Sequence, residues 1–471
     1  MYVGLTQGAC WALINHASED LQKTYLPKMI AGEWTGTMNL TEPHSGSDLG
    51  VMKSRAERRD DGTYRIFGQK IYITYGEHDY TENIIHLVLA RLPDAPAGSR
   101  GISLFLVPKF LVKDDGSLGP RNDVFCHSLE HKLGIHGSPT CTMIYGDGKF
   151  GGEKGAIGWL IGEENKGLAC MFTMMNNARL AVGIQGVAIA EAATQKALHF
   201  SRERTQGRAP GWTGAGMSPI IEHPDIARTL LTMKALAQGS RAIAYACAHA
   251  VDMGHATADA DARHWQDRAN FLTPIAKSFP TDAGVAVASH GIQVHGGMGF
   301  IEETGAARYY RDARIAPIYE GTNGIQAIDL VGRKLPLAGG NHVRGFIGEL
   351  KEVADGVRAA NISGFGTTAD RLDAAIRDLE TATEWLLQAQ ADGRAVETLS
   401  GATAYQRLFG LVLTGTYLAK GGLANVDDGK QDSRVALSRF AAENLLSETS
   451  NLADQVINGA ESLAAARIAL A

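Results

Sequence analysis

Hydrophobic positions change their spacing twice along this chain. Up to about residue 35 they recur with a helical period, Trp11, Leu13, Ile14, Leu21, Tyr25 and Leu26 falling near one face until Gly32 ends the run. From about residue 36 to 150 the texture becomes that of short strands divided by turn residues, as in "TYRIFGQKIYIT", "IIHLVLARL", "GISLFLVP" and "CTMIYGDG". After Gly167 helical spacing returns in "GLACMFTMMNNARLAVGIQGVAIAEAATQKALHFSRER", apolar on most sides and therefore expected inside a bundle. Pro224 opens the next helix, whose apolar positions Ile226, Leu230, Met233 and Ala237 keep a four-three spacing that stops near Gly254. The polar stretch "HATADADARHWQDRA" is expected to separate it from a third helix, in which Pro280 is costly unless a kink absorbs it. "GRKLPLAGGNH" (332–342) reads as a linker into a last helical region, with Leu372, Ala375, Ile376, Leu379 and Leu386 on one face.

These elements predict an α+β multidomain protein, mainly α-helical with a central β domain. The expected divisions are a helical segment over 1–35, the β domain over 36–155, a helical bundle over 156–335 and a further helical domain over 340–471. Composition narrows the function only by exclusion. With 45% hydrophobic and 20% charged residues, a net charge of −6 and no long run of like charge, the chain shows no footprint for nucleic acid or an anionic membrane. Its five cysteines include no Cys-x-x-Cys pair, so neither a disulfide framework nor a zinc ribbon is indicated. No apolar run reaches membrane-spanning length, and the opening "MYVGLTQGAC" lacks the parts of a signal peptide, so a cytoplasmic protein is expected.

Several stretches carry candidate chemistry. "MNLTEPHSGSDLG" (38–50) exposes backbone N–H groups beside the hydroxyls of Thr41, Ser45 and Ser47, which suits either a phosphate or ring edge or a plain surface turn. "KIYIT" (70–74) reads as an alternating strand presenting Tyr72 and Thr74 on one face, a pattern that also fits core. "HSLEH" (127–131) has the spacing of a zinc peptidase motif, but the glycines and proline of "KLGIHGSPT" follow at once, so no helix and no metal is expected. "HGGMG" (295–299) lacks the spacing of a nucleotide loop and reads as a place where something flat approaches a helix end. Among the cations Arg204, Arg311, Arg314 and Arg179, the last lies inside an apolar helix and needs an anionic ligand or a salt bridge. In "PIYEGTNG" (317–324) a single carboxylate, Glu320, sits between apolar residues and glycine.

Taken in order, "MNLTEPHSGSDLG", "GQKIYIT", "EHKLGIHGSPT", "RERTQGR", "GIQVHGGMGF" and "RDARIAPIYEGTNGIQ" resemble the acyl-CoA dehydrogenase family over about residues 5 to 335. The tail resembles the long branch of that family, which carries an extra C-terminal helical domain. The resemblance implies a central β-barrel-like domain and a helical bundle holding FAD. It also implies desaturation of an acyl-CoA thioester at Cα–Cβ, a homodimer, and electron-transferring flavoprotein as the acceptor. Glu320 matches the base that takes the α-proton, with a pKa raised by its apolar surroundings. Leu40, Thr41, Gly46, Ser47, Tyr72 and Thr74 match flavin-lining positions, as does Thr322. Arg204, Gln293 and Gly297 match positions that reach the diphosphate and adenosine, commonly from the neighbouring subunit. Arg179 matches a CoA-contacting arginine, and Gly321 a substrate-binding glycine beside the base.

The sequence departs from the family pattern in four places. Tyr72 stands where many members have Trp, "RERTQGR" lacks a phenylalanine before its glycine, and Pro280 falls inside an expected helix. Of the family's N-terminal helical domain only the last helices are expected, within residues 1–35. Two alternatives remain open at this level, an acyl-CoA oxidase that lets oxygen reach the flavin and a flavin-bearing DNA-binding relative. The second calls for a basic C-terminal surface, whereas residues 426–449 mix both signs.

Overall fold

A computed structural model describes residues 2–150, 152–424 and 431–470. They fall into two compact units, residues 1–178 and 179–471. The first opens with α1 (Tyr2–His16) and α2 (Glu19–Ile30), where the sequence pattern suggests one continuous helical run. The break comes at Ser18, whose hydroxyl caps α2 by accepting from the Leu21 N–H at 3.4 Å. Among the described residues ten strands follow: β1 (Trp34–Asn39), β2 (Arg55–Arg58), β3 (Tyr64–Thr74), β4 (Asn83–Arg91), β5 (Ile102–Pro108), β6 (Phe110–Val112), β7 (Leu118–Arg121), β8 (Val124–Leu129), β9 (Thr140–Tyr145) and β10 (Ala156–Ile161). The β region thus starts slightly before and ends slightly after the expected bounds.

Eight strands form one sheet in the order β1-β4-β5-β10-β3-β9-β8, with β2 beside β3 and β4, and β6 and β7 make a separate pair. β1 and β4 run parallel, while β4–β5, β5–β10, β10–β3, β3–β9 and β9–β8 are antiparallel. β4 and β5 are apolar almost without interruption because both their faces are covered. Ile85, Leu87 and Leu89 join the core built by α1 and α2, whereas Val88 and Ala90 point into a second core with Ile66, Phe105 and Val124. Gly36 lets α1 lie close on β1, since a Cβ there would come within 2.6 Å of the Ala9 side chain.

One expectation about β3 fails. Its alternation is interrupted by a bulge between Lys70 and Ile73, and Tyr72 takes φ 61. The bulge leaves Lys70 fully buried and the Tyr72 ring 62% exposed, so Tyr72 is not core.

The chain passes into the second unit within α3 (Gly167–Glu203). α4 (Pro224–Ala256) matches the predicted helix closely. α5 (Asp259–His295) begins earlier than expected and absorbs most of the polar stretch, of which Asp259, Asp261 and Arg263 are exposed along its first turns while Arg268 is buried against Glu349. It also continues through both Pro274 and Pro280. α6 (Ala306–Ala313) and α7 (Asn323–Asp329) flank the "PIYEG" loop. A π-helical turn at Leu330–Lys334 and a tight bend through Ala338, Gly339 and Gly340, all at positive φ, occupy the expected linker.

α8 (Asn341–Ala360), α9 (Thr368–Ala391), α10 (Ala395–Ser400), α11 (Ala402–Leu423), α12 (Gln431–Asn444) and α13 (Thr449–Ala466) complete the unit. The predicted apolar face of α9 is buried throughout. These helices share one core with α5, in which the Phe271 ring lies 6.0 Å from Phe346 and 5.3 Å from Phe409. α5 is thereby held on both sides, which fixes what it carries.

Candidate active site

The loop after α6 turns through two consecutive left-handed residues, Glu320 at φ 56 and Gly321 at φ 81. A non-glycine residue there costs about 1–2 kcal/mol, so the surroundings must hold it. Both carbonyls are held. Gln326 Nε2 donates to the Glu320 oxygen at 3.0 Å, and Lys277 Nζ donates to the Gly321 oxygen at 2.8 Å. Thr322 then caps α7, its hydroxyl accepting from the Ile325 N–H at 3.2 Å. Only glycine fits at 321, because a Cβ would stand 2.7 Å from Gln326 Nε2.

The Glu320 residue is half-buried, and burial pushes its pKa up to about 7 against the opposing charges of Arg179 and Lys277. A carboxyl of that acidity is divided between its two protonation states near neutral pH, as a general base requires. Lys277 is fully buried on α5, and burial lowers its pKa to about 8 although Asp282 and Glu320 favour its charge. Its second bond goes to Asn323 Oδ1 at 2.8 Å, and Asn323 Nδ2 in turn donates to Asp282 Oδ1 at 2.8 Å. The neighbouring Tyr319 hydroxyl donates to Gln185 on α3.

Arg179 is buried as expected for its apolar helix. Burial lowers its pKa, and the carboxylates of Asp329 and Glu320 act in the opposite sense, so the chain itself supplies anionic partners. α3 and α5 bring these groups together because glycines let the two backbones meet: a Cβ at Gly183 would lie 2.0 Å from the Ala276 oxygen, and one at Gly186 2.4 Å from the Pro280 oxygen.

The predicted residues fall into three groups. Glu320, Gly321, Thr322 and Arg179 cluster. Arg204, Gln293 and Gly297 lie at the far ends of α3 and α5, where the Phe200 and His295 rings stack at 4.4 Å. At the α-helical rise, the end of α3 is about 36 Å from Arg179, and Gln293 about 24 Å along α5 from Lys277, so one chain does not bring this group to Glu320. Arg204, Gln293 and Gly297 are all exposed, and nothing lies within 4 Å of a Cβ at Gly297.

Leu40, Thr41, Gly46, Ser47, Tyr72 and Thr74 belong to the first unit. Among the described residues the hydroxyls of Thr41, Ser47 and Thr74 have no protein hydrogen-bond partner, and Tyr72 presents an open ring beside them. Free hydroxyls, open glycine backbone and an exposed aromatic form a donor set that fits an isoalloxazine ring and its ribityl chain. Beneath it Lys70 donates to the Leu40 carbonyl at 3.0 Å and to Glu42 at 2.9 Å.

Sequence reasoning missed Lys277, Asn323 and Gln326. A lone lysine in the apolar "IAKSF" (275–279) was the available signal. "HSLEH" lies on β8 and the turn after it, and Arg311 is bound bidentately by Glu302. Among the described residues no group of three or more His, Cys, Asp or Glu is arranged to hold a metal, and no helix is long and apolar enough to cross a membrane.

Residues 37–147 match the family model of the acyl-CoA dehydrogenase middle domain, 165–335 that of the acyl-CoA dehydrogenase C-terminal domain, and 346–467 one described as acetyl-CoA dehydrogenase C-terminal like. The chain is similar to the 3-methylmercaptopropionyl-CoA dehydrogenase of Ruegeria pomeroyi, at 44% identity covering 98% of this chain and 78% of that protein. In fold it is similar to Caenorhabditis elegans ACDH-11, solved in complex with C11-CoA, with a TM-score of 0.77 at 22% identity over 97% of this chain and 75% of the other. A Bacillus anthracis acyl-CoA dehydrogenase complexed with FAD gives a TM-score of 0.74 at 21% identity over 94% and 72%.

Proposed function

Because the chain belongs to the acyl-CoA dehydrogenase family of FAD-dependent oxidoreductases, we propose that Glu320 takes the α-proton of an acyl-CoA thioester, the first cleavage in its desaturation to the 2-enoyl-CoA. The observation that carries this is the turn itself, a carboxyl with pKa near 7 on a left-handed residue whose two flanking carbonyls are both fixed. When bound, FAD supplies the acceptor for the hydride that leaves Cβ. Leu40, Thr41, Gly46, Ser47, Tyr72, Thr74 and Thr322 would hold its flavin end. The Glu320 N–H would donate to the thioester oxygen, so that charge developing there as the α-proton leaves is stabilised. Gly321 would leave room for the substrate, and Arg179 would favour an anionic CoA ester.

Arg204, Gln293 and Gly297, too far from Glu320 to serve the same site, support a homodimer in which each chain lends them to the cofactor of the other. Similarity to the Ruegeria pomeroyi enzyme along almost the whole chain supports a short thioester as substrate, 3-(methylthio)propionyl-CoA first among candidates. Electron-transferring flavoprotein is the acceptor we propose, against oxygen. Five free cysteines go with a reducing cytoplasm. Against DNA binding, residues 431–449 set Arg434 and Arg439 against Asp432, Glu443 and Glu448, with Arg439 paired to Glu443; residues 426–430 lie outside the described residues.

Glu320→Gln tests the assignment, since it keeps size and removes the base. The variant should stay yellow, bind acyl-CoA and lose anaerobic flavin bleaching by about three orders of magnitude or more. Near-normal bleaching would mean that another group removes the proton. Peroxide yield set against reduction of an electron-transferring flavoprotein decides between dehydrogenase and oxidase.

A further inference from the structure

Lys277 is a fully buried ammonium whose two hydrogen bonds both go to neutral oxygens, Gly321 O and Asn323 Oδ1, each at 2.8 Å. Burying an ammonium is expensive, and a neutral donor would hold a carbonyl as well. Its surroundings are built to orient it. Asn323 presents Oδ1 to the lysine because Nδ2 is committed to Ser278 O at 3.2 Å, Thr281 Oγ1 at 3.0 Å and Asp282 Oδ1 at 2.8 Å. The Gly321 carbonyl it grips belongs to the residue directly after Glu320.

The charges that face one another here come from α3, α5, α7, α11 and the turns next to them. Arg179 on α3 and Lys277 on α5 face Glu320, whose turn also carries Tyr319. Asp282 and Arg179 face Lys277, Asp329 on α7 and Arg333 face Arg179, and Arg407 on α11 and Arg314 face Asp282. Arg179 therefore divides its charge between Glu320 and Asp329. Lys277 is tied to the Glu320 turn by a direct bond.

Resting on the reading of Glu320 as the base, we infer that Lys277 is its positioning residue: it fixes the left-handed turn through the Gly321 carbonyl and supplies the positive charge that keeps a buried carboxyl ionisable. Holding and charge come from the same atom, which explains why a lysine rather than an amide occupies the site. Without the cation the carboxyl would stay protonated to higher pH, and a protonated base takes no proton.

The FAD-loaded full chain is compared with Lys277→Gln and Lys277→Met, each with and without Glu320→Gln. Anaerobic bleaching by excess butyryl-CoA is followed across pH. In parallel, the difference in melting temperature between each chain that keeps Glu320 and the matching chain with Glu320→Gln is read over the same range without substrate. Lys277→Gln should move the midpoint of both profiles up by roughly one pH unit. Lys277→Met should do the same and lower the bleaching plateau roughly tenfold, because the Gly321 carbonyl loses its donor. Asp282→Asn, a milder change, removes the carboxylate that favours the Lys277 charge and should move the midpoint up by less than Lys277→Gln does. A lowered plateau with unmoved midpoints, or a downward shift in Asp282→Asn, would overturn the inference and leave the base assignment standing. Bleaching that survives Glu320→Gln would overturn both.

Discussion

Lys70 and Glu42 form an ion pair, Nζ to Oε1 2.9 Å, in which the side chains are 0% and 2% exposed. Burial alone would raise the Glu42 pKa, but the Lys70 charge and the N–H groups of Lys53 and Ser54 outweigh it and hold the carboxylate ionised. Lys70→Met strands that carboxylate and frees the Leu40 carbonyl. The variant should lose about 3–5 kcal/mol of stability and, at equal protein, carry less FAD than the parent. Denaturant midpoints and the flavin-to-protein absorbance ratio measure both, and an unchanged ratio would separate the pair from cofactor binding.

Glu320 should make the protein less stable where it is ionised. Its folded pKa of about 7 lies above the value of about 4.3 expected when unfolded, so its contribution is complete below the lower value and is lost as pH rises through the upper one. Glu320→Gln is therefore expected to melt with the parent near pH 4 and several degrees above it at pH 8, a gain on the order of 2 kcal/mol. Calorimetry across pH tests this, and equal melting curves at pH 8 would contradict the raised value.

Gly321→Ala places a Cβ at 2.7 Å from Gln326 Nε2 on a residue at φ 81. The amide must give up the Glu320 carbonyl or the turn must open. Flavin bleaching should slow more than about tenfold while FAD content stays near that of the parent. Loss of FAD with normal bleaching in the remainder would show that the turn serves the cofactor rather than the base.

Two glycine substitutions should move stability in opposite directions. Gly345 lies exposed within α8 with nothing within 4 Å of a Cβ, so Gly345→Ala should stabilise by about 0.5–1 kcal/mol. Gly183→Ala drives a methyl to 2.0 Å from the Ala276 oxygen and should cost more than about 2 kcal/mol. Chemical denaturation of the pair decides it, and a shared sign would argue against a tight α3–α5 crossing.

Periodicity carried most of the helical architecture. The apolar stripes after Gly167 and Pro224 and along α9 were regular enough to fix existence and face, because burial on one side leaves that trace. The start of α5 was hidden by polar residues on its solvent side, and the break at Ser18 by a cap that reads as an ordinary serine. The bulge in β3 is a backbone event in "KIYIT" with no glycine or proline to mark it. At the site, Glu320 was legible through the motif around it. Lys277 and Gln326 were not, since what they do depends on contacts across the turn and between helices, which no local spacing records.

Proline has no N–H, so Pro280 cannot give the Ala276 carbonyl its usual bond within α5, and Gly183 of α3 approaches that same carbonyl. The imino acid and the glycine act as notch and key, and Gly186 against the Pro280 carbonyl repeats the close fit three residues further along α3. Sliding either helix by a residue would set a side chain against backbone. Arg179 stands one helical turn from the key and Lys277 directly follows the notch, so the joint indexes the two cations against each other. The electrostatic setting of the base is thereby fixed by the crossing of two helices as well as by the turn that carries it.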